Sequence, residues 1–216
     1  MDKYLQLLSG GDSVFIDGCA RAYALPAVWI PLGLVLLYIL LKNNSFKNFL
    51  VIITLVALLY AVTFVTNLYV CEPFVEYFFP SYDATPSFTV TSSANLFINT
   101  ADAFGIAIFL MLLVQHTSLT VTLTLWGLIS CGTEIYHSSN GMPYIMAGGL
   151  FGAICGIAVY RIYTAYLNKK GRSRRDWISD RYTKSGYDVS DVYLLSAMIF
   201  ATLAAVPIIS FFLPTI

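Results

Sequence analysis

Residues Thr124–Tyr163 read TLWGLISCGTEIYHSSNGMPYIMAGGLFGAICGIAVYRIY. One apolar run ends in a short polar turn carrying Glu134, His137 and Asn140. A second run then begins with small residues at Ala147, Gly148, Gly149, Gly152, Ala153 and Gly156. Each run approaches the about 18–20 apolar residues that a helix needs to cross a bilayer. The pattern predicts two membrane spans joined by a tight loop, with the polar chemistry where that loop meets the membrane surface.

The remainder of the 216-residue chain extends this reading. It is 58% hydrophobic and 11% charged, with mean hydropathy +0.74. Soluble domains carry roughly a quarter charged residues. The expected fold class is all-α: a polytopic membrane bundle of about six spanning helices preceded by an N-terminal interfacial helix. The spans fall at about 27–41, 49–68, 96–114, 120–136, 144–166 and 192–213. Trp29 near the start of the first is suited to anchor it at the interface. The chain divides into an interfacial segment (1–26), a transmembrane core (27–166), a basic loop (167–190) and an additional C-terminal spanning helix (191–216). Tyr69–Asn95 contains Pro73, Pro80 and Pro86 and no Lys or Arg, and is expected to cap one face of the bundle.

Net charge is zero, but its distribution is not even. Arg161, Lys169, Lys170, Arg172, Arg174, Arg175, Arg181 and Lys184 cluster ahead of the last span. With an external N-terminus, ten cations face inward and only Lys3 and Arg21 face outward. The positive-inside rule therefore places both termini, Tyr69–Asn95 and His137–Pro143 outside, and the basic loop in the cytoplasm. No basic, aromatic-interleaved surface suggests nucleic-acid binding. Cys19, Cys71, Cys131 and Cys155 lack metal-ligand spacing, and no metal or cofactor is expected. A Cys71–Cys131 bridge is left open, because spacing does not establish geometry.

The order of features resembles the type 2 phosphatidic acid phosphatase (PAP2) family of membrane lipid phosphatases, in its short bacterial form. The resemblance rests on WIPLGLVLLYILLK, NTADAFGIAIFL and EIYHSSNGMPYIMAGGLFGAICGIAVY, and runs to about Tyr163. It implies a bacterial inner-membrane protein. It is a scaffold resemblance, because the signature motifs are replaced. Anchored on Pro80, the first motif's lysine falls near Glu72 and its arginines on Tyr77 and Phe79. Anchored on Ala101 and Phe104, the second motif ends with Asn99 at its histidine. Anchored on Ala147–Gly148, the third places Glu134 at the arginine, Asn140 at the histidine and Tyr144 at the aspartate.

The resemblance implies a histidine nucleophile, a second histidine as acid and cations around the phosphate. An amide forms no phosphoenzyme and has no useful pKa for acid catalysis. The expectation is a catalytically inactive PAP2-like protein without catalytic residues, acting as a non-catalytic subunit or a lipid- or polyprenyl-binding scaffold. Its partners would be membrane lipids and a membrane protein, with self-association left open. The expected pocket holds Asp102, Glu134, His137 and Asn140. Two alternatives remain: an active lipid phosphate or polyprenyl pyrophosphate phosphatase using His137, and a cation-sensing or conducting protein using Glu72, Asp102 and Glu134. Gly148, Gly152 and Gly156 form a small-residue face, read as helix packing within the chain ahead of a dimer interface.

Overall fold

The computed structural model describes residues 14–71, 93–137, 142–169 and 181–212, with side chains described for 18–70, 96–136, 142–169 and 181–212. Among these residues the architecture is all-α. Helix α1 is Val14–Ala24, α2 Pro26–Asn43, α3 Phe46–Thr66, α4 Ser93–Val114, α5 Thr117–His137, α6 Met142–Lys169 and α7 Val189–Ser210. A π-helical turn, Asn67–Cys71, continues α3. The connections α2–α3, α4–α5 and α6–α7 share one end of the bundle, here called the basic end. The opposite end, where α3 runs out and α5 gives way to α6, is the loop end.

Among the described residues, five helices are long and apolar enough to cross a membrane: α2, α3 with its π turn, α4, α6 and α7. The sixth expected span, α5, has 21 residues but is interrupted by hydroxyls and Glu134. Most of those hydroxyls bond within the helix. Thr120 donates to the His116 carbonyl, Thr122 to Ser118 and Thr124 to Thr120, at 3.1, 2.8 and 2.8 Å. Such back-bonding satisfies the polar atom and leaves the threonine methyl to face hydrocarbon. The helix thus has spanning length and self-satisfied polarity despite its composition.

Boundaries follow local chemistry. Pro26 begins α2, where a missing N–H costs nothing. Asp188 caps α7 by accepting from the Ser190 N–H at 3.0 Å. Between α4 and α5, Gln115 takes a left-handed conformation (φ 54°), a costly choice for a residue with a Cβ. It turns the chain in two residues.

The glycine series decides how the centre packs. A Cβ on Gly148 would lie 2.6 Å from the Phe97 carbonyl oxygen, and one on Gly156 2.5 Å from that of Gly105. One on Gly152 would lie 2.8 Å from both Cα and carbonyl carbon of Ala101. Helices α4 and α6 therefore meet backbone to backbone, and the small-residue face is occupied within the chain, as the packing reading held. Close approach of this kind replaces the hydrophobic drive that is missing between helices in lipid.

The main buried cluster includes Ile39, Ile52, Leu59, Phe109, Leu119 and Ile199, so α7 shares the core of α2–α5. A second, smaller cluster at the loop end contains Leu96, Phe97, Ala101, Tyr144 and Ile145. Helix α1 packs against α7 and α5. It occupies part of the expected interfacial segment, and residues 1–13 lie outside the described ones.

The basic stretch is more ordered than a plain loop. Helix α6 extends through it to Lys169, and Tyr182 bridges Asp188 in an antiparallel pair. Asp191 is buried and accepts from Lys42 Nζ at 2.7 Å and from Asn43 Nδ2 at 2.8 Å. Asn44 donates to the Tyr187 hydroxyl at 2.9 Å, and Ser185 donates to the Val114 carbonyl. Residues 181–188 thereby clasp the ends of α2 and α4.

Candidate functional site at the loop end

Two of the sequence-predicted site positions meet in space. Asn99, exposed on α4, donates from Nδ2 to Glu134 Oε1 on α5 at 3.0 Å. They lie 35 residues apart in sequence. They meet because the two-residue turn at Gln115 sets α4 and α5 antiparallel, which aligns the start of one with the end of the other. Tyr144, from the first turn of α6, is buried at 6% exposure among Leu96, Phe97, Ala101 and Ile145. Its ring belongs to the apolar cluster at the loop end.

Asp102 departs from expectation in two ways. The span expected over 96–114 would put it close to a helix start, where the helix dipole favours its charge. Helix α4 begins at Ser93, so Asp102 lies nine residues in, about 13 Å along the axis. The dipole effect has faded by that depth. Its carboxylate instead accepts from Thr63 Oγ1 on α3 at 2.6 Å. Asp102 thus joins α4 to α3, while Glu134 joins α5 to α4.

Glu72, Tyr77, Phe79 and Asn140 lie outside the described residues, as does the His137 side chain; the His137 backbone closes α5. Cys131 is a free thiol, so the bridge left open to Cys71 is not formed. No three His, Cys, Asp or Glu side chains gather as metal ligands among the described residues.

Sequence reasoning missed the aromatic plug beside the pair. Tyr23 on α1 shares a hydrogen bond with Ser130 of α5, one turn before Glu134. Trp29 Nε1 donates to the Tyr23 carbonyl at 2.8 Å, and its ring stands edge-on to Tyr23 and Trp126. Trp29, expected as a membrane-surface anchor, therefore pins α1 to the bundle. Burial pushes the Tyr23 hydroxyl up to about 12; the Ser130 bond pulls the other way, and the nearby Glu134 charge adds to the rise. The one available signal was a tyrosine and two tryptophans among short apolar runs, which does not say what they touch.

No family model matches the chain, and no solved structure matches it. The chain is 27% identical over 173 residues to the lipid A 4'-phosphatase of Bacteroides thetaiotaomicron, covering 74% of this chain and 75% of that one. That span is too long for a shared hydrophobic segment alone. Together with the helical bundle, it makes this chain a multi-pass membrane protein similar to a bacterial lipid phosphatase.

Proposed function

We propose that the protein keeps a lipid-phosphatase-like scaffold without phosphate-releasing chemistry, and serves as a lipid- or polyprenyl-binding, non-catalytic subunit of a membrane complex. The observation that carries this reading is the Asn99–Glu134 pair. The PAP2 resemblance assigns those positions to a histidine acid and a phosphate-binding arginine. Here an amide donates to a carboxylate. A carboxylate about 4 Å from a phosphate charge costs about 4 kcal/mol at an effective dielectric near 20, where attraction is required. Tyr144, at the position of the nucleophile's orienting aspartate, sits in the buried cluster with Leu96, Phe97, Ala101 and Ile145. The charge pattern supports an extracytoplasmic position for the loop end.

The alternative, an active phosphatase that uses His137, is favoured by the 27% identity to a lipid A 4'-phosphatase. One assay separates the two. Purified protein is incubated with lipid A bearing a 4'-phosphate, with phosphatidic acid and with a polyprenyl pyrophosphate, and released phosphate is measured. The expected result is release at background, unchanged by His137→Ala. Release above background that His137→Ala abolishes refutes the non-catalytic reading and supports the alternative.

A further inference from the structure

Apart from Arg21, the described cations all gather at the basic end: Lys42, Lys47, Arg161, Lys169, Arg181 and Lys184. Two of them are engaged. Lys42 holds Asp191 at 2.7 Å, and Arg181 approaches Asp188 at 3.9 Å. These pairs also offset the charges of Asp188 and Asp191. Lys47, Arg161, Lys169 and Lys184 are exposed, and their side chains bond to no described residue.

The fold sets these four at the level of a membrane surface. Gln115 Nε2, at the end of α4, donates to the Tyr160 hydroxyl of α6 at 3.4 Å, which fixes Tyr160 level with the close of α4. Helix α6 has 28 residues, about 42 Å, against a hydrocarbon core of about 30 Å. Its last turns, Arg161–Lys169, therefore project past the core at this end. Lys47 stands in the first turn of α3, and the clasp holds Lys184 against the ends of α2 and α4. Two of the four have exposed apolar neighbours: Phe46 and Leu50 beside Lys47, at 67% and 47% exposure, and Ile162 beside Arg161 at 51%.

We infer that the basic end is a docking surface for anionic phospholipids of the surrounding leaflet, with Lys47, Arg161, Lys169 and Lys184 taking the headgroup phosphates. A soluble polyanion would be met by the cations alone. A phospholipid also uses the apolar side chains beside them, which receive its acyl chains, and so fits the whole surface. The inference is independent of whether the loop end is catalytic.

The test reconstitutes the full chain in nanodiscs of equal phosphatidylcholine and phosphatidylglycerol. Lipids retained around the protein after mild detergent extraction are then quantified by mass spectrometry. The wild-type protein should retain phosphatidylglycerol several-fold above the bulk ratio. Each single change, Lys47→Gln, Arg161→Gln, Lys169→Gln or Lys184→Gln, should lower the enrichment by part of its total, and by no more than about fivefold, which corresponds to about 1 kcal/mol. The fourfold variant should return to the bulk ratio. Arg21→Gln, at the other end, should leave the enrichment intact, as should exchange of the four lysines and arginines for one another. If the fourfold variant fails to fold, a salt titration on the wild-type protein gives the same reading, because enrichment through exposed cations must fall away at high ionic strength. Retention at the bulk ratio, enrichment indifferent to the four changes or to salt, or displacement of the lipid by a short acidic peptide would each overturn the inference.

Discussion

Replacing Gly152 with alanine tests the feature on which the bundle's centre depends. The added Cβ would lie 2.8 Å from Ala101 Cα and its carbonyl carbon, and closer still to the carbonyl oxygen, whereas ordinary contact begins at 3.4 Å. The obstacle is backbone, so no side chain can swing aside. Helices α4 and α6 must part by at least the missing 0.6 Å. A radial gap of about 0.5–1 Å forfeits roughly a quarter to a half of each dispersion contact along the interface. Overpacking strain of about 1–3 kcal/mol adds to that loss, so we expect a total destabilisation of about 3 kcal/mol or more. Gly132 and Gly33 are the controls, because a Cβ at either meets nothing within 4 Å. Alanine there should be neutral or slightly stabilising, by up to about 1 kcal/mol from the lost glycine entropy. Unfolding of purified protein in mixed micelles, followed by tryptophan fluorescence against increasing sodium dodecyl sulfate, reads all three. A further outcome is distinctive: Ala101→Gly should not rescue Gly152→Ala, because the clash involves the Ala101 main chain. Equal stability of the Gly152 and Gly132 variants, or full rescue by Ala101→Gly, would refute the backbone-to-backbone contact.

Other consequences follow from the same structure. Folding favours the neutral Tyr23 phenol, whose pKa rises from 10.0 to about 12 by burial. Its contribution is complete below pH 10 and is lost as pH rises towards 12, a span of about 2–3 kcal/mol. Tyr23→Phe should flatten the fall in stability across that window, and should cost about 1 kcal/mol at neutral pH for the lost Ser130 bond. A wild-type-like alkaline slope in the variant would count against it. Asp191→Ala releases both Lys42 and Asn43, whereas Lys42→Gln leaves the Asn43 bond, so melting temperature should fall further for the first. Glu134→Gln keeps an acceptor for Asn99 and should change stability by less than about 1 kcal/mol. On the proposed non-catalytic reading, the same change leaves phosphate release at background in the assay described above.

The spans were legible because crossing a bilayer imposes length and apolarity on contiguous residues. Five of the six expected runs coincide with helices of spanning length, and α5 was visible as well despite its threonines. The candidate site was legible in part. Asn99 and Glu134 could be named from motif positions, but not the bond between them. Asp102 was placed too shallow because the start of α4 at Ser93 lies in a serine-containing stretch with no apolar periodicity to mark it. Thr63 could not be foreseen as its partner, since a threonine in a span reads alike whether it bonds its own helix or a neighbour.

The sequence by itself determined the class of the molecule and the order of the apolar runs that become the described helices. Both are properties of residue type along the chain. Only the tertiary structure decided that Gly148, Gly152 and Gly156 face α4 and not another copy, that Glu134 receives Asn99, that Asp102 reaches Thr63, and that residues 181–188 clasp the basic end. Those outcomes depend on helix rotation and depth. In a uniformly apolar bundle, hydropathy leaves rotation undetermined, and backbone approach and a few hydrogen bonds settle it.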